Sequence, residues 1–577
     1  MSTAPANLAG PVGPLGMNLH ASRGAAAALR RLDPWQLAAA GIAVVVLLPL
    51  LSLAWTALQG SNGMWSHVVV HVLPTAARNT LLLLAGVGVL VVAIGTGAAW
   101  LVTAYEFPGR RTLAWALLLP LAVPTYIVAF AYLDLLHPLG PVQGMVRSLL
   151  GYDSPRDFRL PDIRSLAGCI VLLGFVLYPY VYLTTRAMFM TQAAGLIEAA
   201  RTLGASPAAV FRRVALPLAR PAIAVGTALA LMEALNDIGA SEFLGVQTLT
   251  VAVYTTWITR SDLPGAAQIA LSMLVVVVAL LALERHARRR QRYASGQRPR
   301  PMQPLRLRGG RAALAFALAL LPVVVGFVLP AGYLVVETVA RMGDGGVSPQ
   351  LLASTRNTVL VAVVATLATV LAGLVMAWAL RLAQGRRRER PAALRLRAAS
   401  LGYAVPGTVL AIGLLMPLAW FDDGANLALH VFGMEPRMLL MGSVAALVLV
   451  YMLRFLAIAA GGIESGLARI PPSLDQAAAS LGHRAGATLR RVHLPLLRPS
   501  LAAAALLVFV DAMKELSATL LLRPLNFETL ATWLYAEASR GTYEEGAVAA
   551  LLIVLVGLLP VVLLARTGLR FGQERAS

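Results

Sequence analysis

Leu203–Pro221 reads LGASPAAVFRRVALPLARP, and Leu481–Pro499 reads LGHRAGATLRRVHLPLLRP, an offset of 278 positions (481 less 203). Each stretch is polar and lies between two long apolar runs, so the pair asks why such a chain says nearly the same thing twice. Outward from the pair, the offset persists. ARNT at 77–80 returns as TRNT at 355–358, Ala99–Trp100 as Ala377–Trp378, and MEALNDIGAS at 232–241 as VDAMKELSAT at 510–519. TLTVAVY at 248–254 resembles TLATWLY at 529–535 after a three-residue change in loop length. Several anchors at one offset identify a duplication. Its join falls in an Arg- and Pro-rich linker at 285–311, between an N-terminal half at 1–284 and a C-terminal half at 312–577.

Hydrophobic residues make up 58% of the 577 and charged residues 13%. A soluble fold of this length cannot hide that much apolar surface, so a bilayer is the solvent. Roughly 20 apolar residues cross the hydrocarbon core, and on that ruler the chain holds about twelve spans. They lie near 36–58, 79–104, 112–134, 165–187, 217–240, 265–284, 312–338, 357–380, 396–419, 438–460, 497–522 and 545–567. The predicted fold class is an all-α integral membrane protein of two six-helix repeats. An even number of crossings returns each half to its starting side, so the repeats are parallel, related by an axis along the membrane normal. Symmetry of this kind reads as a transporter or channel.

The formal charge is +21. Its arginines concentrate at 284–311, at 381–397 and in RFGQER at 570–575, on the same side of this topology as Arg30, Arg31, Arg110 and Arg111. Opposite loops such as FDDGANLALHVFGMEPR at 421–437 carry little net positive charge. That is the positive-inside pattern, which predicts both termini in the cytoplasm. A nucleic-acid binder needs basic groups organised on a folded soluble module, and this distribution argues against one. Cys169 is the single cysteine, so no intrachain disulfide can form. The first 34 residues are too long and weakly apolar for a cleaved leader, and the first apolar run reads as a retained span.

The repeated stretch belongs to a cytoplasmic loop between the fourth and fifth spans of each half. In GLIEAARTLGASPAAVFRRVALPLARP, Glu198, Ala199 and Ala200 suit a short helix, and Gly204 permits a sharp turn. Ser206 is placed to cap a second helix with Pro207 at its first position. Pro217 and Pro221 then redirect the chain into the membrane. A hairpin this small buries no core of its own, so it docks on something or lies on the membrane surface. Lys514 is the sole lysine and follows Met513, so the Gly-Lys step of a phosphate-cradling loop is missing and the chain cannot energise itself that way.

Charged groups inside spans are costly and call for a function. Glu233 and Asp237 are four apart and are expected to share a helix face; Asp511 and Glu515 match them by repeat, with Asn236 and Lys514 at the equivalent neighbouring position. Two readings stand. Four carboxylates around a pseudo-two-fold pathway attract a hard cation; alternatively, satisfied polar networks pin the helices, with Lys514 neutralising Asp511 or Glu515. The second is preferred over direct metal ligation, and lining a pathway is preferred over facing lipid. Tyr178, Tyr180 and Tyr182 offer phenolate oxygens but fit an interfacial aromatic belt better. His67 and His71 have ligand spacing without further ligands nearby. Arg454 is expected to snorkel or to bond backbone carbonyls.

The residues of the repeated loop also carry a resemblance. Glu198-Ala199-Ala200, Gly204 and Val214-Ala215-Leu216-Pro217 resemble the EAA loop of ABC importer permeases, which have the MetI-like architecture. The second copy keeps Ala477, Ala478, Gly482, Leu494 and Pro495, but has Gln476 in place of Glu198, with Asp475 beside it as an imperfect substitute. The resemblance implies that both loops dock on a separate ATPase subunit, a dimer, which holds the ATP and Mg; no cofactor is expected on this chain. LYPYVYLTTRAMF at 177–189, EALNDIGASEFLGVQTLTVAVYTTW at 233–257 and KELSATLLLRPLNFETLAT at 514–532 are similar to ferric-iron importer permeases of the bacterial inner membrane, over nearly the whole chain. Ser517 departs from the proline often found there. That likeness implies ferric iron as cargo and a periplasmic binding protein as donor. Thiamine, phosphonate, polyamine or sulfate permeases are the alternatives within the class, and an ion-gradient-driven carrier is the alternative outside it.

Overall fold

The structure is a computed structural model that describes residues 33–60, 64–191, 194–289, 303–344, 346–384 and 389–573. Arg30, Arg31 and part of the Arg-rich linker lie outside these residues. In chain order the long elements are α1 (Pro34–Leu58), α2 (Trp65–Ala104), the bent pair α3 (Arg110–Ala122) and α4 (Thr125–Leu135), α5 (Leu166–Met190), α6 (Pro207–Asn236) and α7 (Leu263–His286). The second half continues with α8 (Gly310–Gly343), α9 (Pro349–Ala383), α10 (Gly407–Val431), α11 (Val444–Ala468), α12 (Ala485–Met513) and α13 (Tyr543–Leu563). Eleven of these are long and apolar enough to cross a bilayer alone, and the bent pair stands where the third span is predicted. Their outward faces keep large apolar side chains exposed, such as Leu51, Leu58, Val89 and Val275, as a lipid-facing surface must.

The third span does not run straight through 112–134. α3 and α4 meet at an angle of 92°. Pro124 has no N–H to continue a helix, and it pushes Val123 to an extended backbone (φ −106°, ψ 116°). The same Val-Pro step recurs at Val405–Pro406, where Val405 is again extended (φ −84°, ψ 129°). It separates the short helix Leu401–Ala404, which follows a helix at Glu389–Ala399, from α10, so the ninth span lies at Gly407–Val431 and not at 396–419. The tenth is displaced in the same direction, from the predicted 438–460 to Val444–Ala468.

The prolines of the repeated loop do not redirect the chain. α6 runs unbroken from Pro207, and α12 from Ala485, because each absorbs its Leu-Pro step in a π-helical turn. The N–H of Leu216 reaches the carbonyl of Phe211, and that of Leu494 reaches Leu489, five residues back in each case. The widened turn makes room for a proline ring that would otherwise strike the carbonyl four residues earlier. Leu73–Pro74 and Leu329–Pro330 follow π turns of the same form.

Packing inside each half depends on missing side chains. A Cβ on Gly95 of α2 would lie 2.9 Å from the Tyr178 carbonyl oxygen of α5. A Cβ on Gly373 of α9 would lie 2.9 Å from the Ala460 amide of α11. Lipid chains are as apolar as leucine, so close backbone approach of this kind supplies the association that the hydrophobic effect supplies in water. The two glycines are repeat equivalents.

The halves interlock. α1 crosses to the second half and packs on α9 and α10, where Gly413 leaves no room for a Cβ beside the Pro49 carbonyl. α8 crosses to the first half: Tyr132 Oη donates to the Val325 carbonyl at 2.7 Å, and Tyr333 Oη donates to Asp134 Oδ2 at 2.8 Å.

Candidate translocation site and coupling hairpins

α6 stops at Asn236 because the next residue competes for the backbone. Asp237 leaves the helix (φ −75°, ψ 114°), and its Oδ1 accepts the Ala240 amide at 2.7 Å at the head of the short helix Gly239–Phe243. α12 ends the same way. Lys514 is its C-cap, and Glu515 Oε1 accepts the Ala518 amide at 2.9 Å. The expectation that the acids of each pair share a helix face is therefore corrected: the first of each is helical, and the second lies past the break and holds the turn.

The two breaks meet between the halves around a cavity of about 140 Å³. The first half contributes Tyr126, Tyr180, Glu233, Asn236 and Asp237, and the second contributes Tyr403, Arg454, Asp511, Lys514 and Glu515. All six predicted pathway residues are thus brought together. Both cations pair within their own half: Lys514 Nζ lies 2.8 Å from Asp511 Oδ1, and Arg454 Nη1 donates to Glu515 Oε1 at 2.6 Å. Glu233 accepts from Tyr403 Oη at 3.3 Å, while Asp237 accepts from the Thr125 hydroxyl and the Ala240 amide. The first half's acids are held by neutral donors.

Asn236 fastens the halves to each other. Its Oδ1 accepts the Gly407 amide at 2.9 Å, and its carbonyl accepts the Ser517 hydroxyl at 3.0 Å. Tyr126 Oη reaches the Lys514 carbonyl at 3.3 Å, and Tyr535 Oη donates to Glu242 Oε2 at 2.6 Å.

Three further expectations change. Arg454 neither snorkels nor bonds carbonyls; it is buried against Glu515 with its guanidinium 5.7 Å from the Phe455 ring. Tyr178 and Tyr182 are wholly buried in the protein interior instead of forming a membrane-surface belt, with Tyr182 Oη on the Ala114 carbonyl at 2.7 Å. Of the three tyrosines, Tyr180 lines the cavity. His67 and His71 are exposed and face each other at 5.0 Å between ring centres. Among the described residues, no three His, Cys, Asp or Glu gather closely enough to hold a metal ion.

The repeated loops are helical hairpins. Glu198, Ala199 and Ala200 lie on Ala194–Thr202, and Gln476, Ala477 and Ala478 lie on Pro472–Ser480. Gly204 (φ +81°) and Gly482 (φ +76°) make the turns in the left-handed region, with open space around each. Ser206 caps the second helix through the Ala209 amide at 3.3 Å. Leu216, Pro217, Leu494 and Pro495 sit at the π turns that carry each hairpin into its span. Asp475 is no stand-in for Glu198: it is turned inward onto Arg381 Nη2 at 2.8 Å and His493 Nε2 at 2.6 Å. The tips present leucines not singled out above, Leu203 at 87% and Leu481 at 76% exposure. The Leu-Gly step shared by both quoted stretches is the signal that marks them.

Two interlocked halves of membrane-crossing helices around a cavity, each with a hairpin leading into one of its spans, define a membrane permease. The chain belongs to the family of binding-protein-dependent transport system inner membrane components, whose profile matches it twice, at residues 91–293 and 385–567. It is similar to the Fe(3+)-transport system permease protein FbpB 2 of Haemophilus influenzae, 26% identical over 494 residues, or 85% of this chain and 89% of that one. It is also similar to the sulfate transport system permease protein CysT of Salmonella typhimurium, 29% identical over 42% of this chain and 86% of that one. A third relative is the putative 2-aminoethylphosphonate transport system permease protein PhnU of Salmonella choleraesuis, 30% identical over 43% and 88%. The protein is a multi-pass inner-membrane permease made of two family repeats.

Proposed function

We propose that this chain is the permease subunit of an importer for ferric iron, driven by a separate ATPase dimer and fed by a periplasmic binding protein. The observation that carries the cargo reading is the charge of the cavity. It holds four carboxylates and two cations, and both cations are already engaged by Asp511 and Glu515. An entering ion therefore meets Glu233 and Asp237, oxygen ligands suited to a hard cation and repellent to sulfate or phosphonate. The relative named for Fe(3+) transport, similar across both halves, supports the same cargo. The cavity serves passage and not storage, since conduction needs contacts weak enough to release the ion.

Work enters through the hairpins. Closure of the ATPase dimer draws Gly204 and Gly482 together with their helices, and α6 and α12 carry that displacement to the breaks at Asp237 and Glu515. The cavity then opens outward. ATP and Mg act on the partner, this chain binds no cofactor, and both termini face the cytoplasm with the arginine-rich segments, beside the anionic lipid of that leaflet.

The test is labelled ferric-ion uptake into vesicles holding this chain, its ATPase and the binding protein. Uptake that needs ATP and resists competition by excess sulfate or phosphonate supports the reading. Uptake driven by an ion gradient without the ATPase overturns it.

A further inference from the structure

The segment joining the halves ends on the first coupling hairpin. Leu305–Arg306 pairs as a short parallel strand with Tyr105–Glu106, the turn after α2, and the Leu307 amide donates to the Glu106 carbonyl at 2.9 Å. Just before this strand, the hairpin grips one residue of the linker from both sides. Arg201 Nη1 donates to the Gln303 carbonyl at 2.8 Å, and the Gln303 amide donates to Glu198 Oε1 at 3.2 Å. Glu198 and Arg201 are three apart on one helix and so reach the same side. Together they satisfy both backbone groups of Gln303, as a neighbouring strand would.

Among the described residues, no such grip is made on the second hairpin. Gln476 replaces Glu198, and Asp475 is committed to Arg381 and His493. It is touched instead by an apolar group: Trp35, at the start of α1, packs in one cluster with Ala485 and Leu489. The first hairpin thus contacts the lead-in to the first helix of the opposite half through hydrogen bonds to the backbone, and the second contacts the first turn of α1 through an aromatic ring. The strapped hairpin is the one that carries the glutamate, Glu198, where its counterpart has Gln476.

We propose that residues 303–307 are a working strap of the first coupling hairpin, with Glu198 and Arg201 as the positioning residues that fasten it. Because the strap continues into α8, and α8 packs on both α4 and α13, a push on the first hairpin reaches the second half directly as well as through α6. The inter-half connection transmits force between the first hairpin and the second half. This inference rests on the coupling role given to the hairpins above.

The experiment uses the full chain with its ATPase and binding protein in vesicles, and reads labelled cargo taken up per ATP hydrolysed. Gln303→Pro removes the linker's donor and leaves both hairpin residues intact; Arg201→Ala removes the other bond from the opposite side. Each is expected to lower the ratio about fivefold while hydrolysis continues. Gly204→Trp, which blocks the hairpin itself, separates the two claims. If Gly204→Trp destroys coupling while Arg201→Ala keeps the wild-type ratio, the strap is overturned and the hairpin's role stands, whatever Gln303→Pro does to folding. If Gly204→Trp also keeps the wild-type ratio, the coupling role has failed and the strap fails with it.

Discussion

Arg454 and Glu515 form an ion pair at 2.6 Å with side chains 10% and 6% exposed, and Gly407 backs them so closely that a Cβ there would lie 2.1 Å from Arg454 Nη1. The pair joins α11 to the break after α12, so it sets the shape of the cavity wall as well as its charge.

Removing one partner leaves a buried charge without compensation. Arg454→Met is expected to cost about 3–5 kcal/mol of folding stability, and Arg454→Met with Glu515→Leu less than the single change. Unfolding of the detergent-solubilised protein measures both. A double variant no more stable than the single one contradicts this account of the pair.

Lys514 and Asp511 make a chemically similar pair but keep 32% and 23% of their side-chain surface. They are less buried than Arg454 and Glu515, so Lys514→Gln is expected to cost less than Arg454→Met. The same unfolding assay distinguishes the two pairs by burial alone.

At Gly95 and Gly373 the missing Cβ faces backbone of the neighbouring helix. Gly95→Leu or Gly373→Leu forces α2 from α5 or α9 from α11, a destabilisation of about 1–3 kcal/mol or more. Size-exclusion profiles of the purified variants should show loss of the monodisperse species, while Gly97→Leu, where nothing lies within 4 Å, should not.

Leu203 and Leu481 stand exposed at the hairpin tips. Burial of a leucine contributes about 1.5–3 kcal/mol, so Leu203→Ser or Leu481→Ser is expected to weaken ATPase binding about 10- to 100-fold without lowering the unfolding temperature. Affinity measured by titration of the ATPase checks the first half of the statement, and calorimetry checks the second.

Glu233→Gln and Asp237→Asn are expected to lower ferric-ion uptake about tenfold each while ATP hydrolysis continues, since both carboxylates line the cavity and accept their hydrogen bonds from neutral donors. Uptake assays at matched protein levels decide this. Unchanged uptake in both variants removes them from the pathway.

The spans and the hairpins were legible because apolar length and a recurring offset are local, repeated signals. The details at the cavity were not. Spacing of four residues implies one helix face only while the helix continues, and Asp237 and Glu515 lie past the ends of theirs, holding the turns through the Ala240 and Ala518 amides. Pro217 and Pro495 look like breakers in one dimension, and the π turns that absorb them are a backbone response with no side-chain pattern of its own. Arg454 finds its partner 61 positions away, and Glu198 reaches Gln303 across 105. The crossing of α1 and α8 to opposite halves is likewise a tertiary choice that neither helix announces.

The most direct measurement is cargo imported per ATP hydrolysed by the reconstituted complex, compared between the wild-type chain and one carrying Gly204→Trp and Gly482→Trp. The account predicts ATP-dependent uptake by the first and none by the second, with both chains inserted in the membrane. Equal uptake by the two, or full uptake by the wild-type chain with no ATPase present, would contradict it.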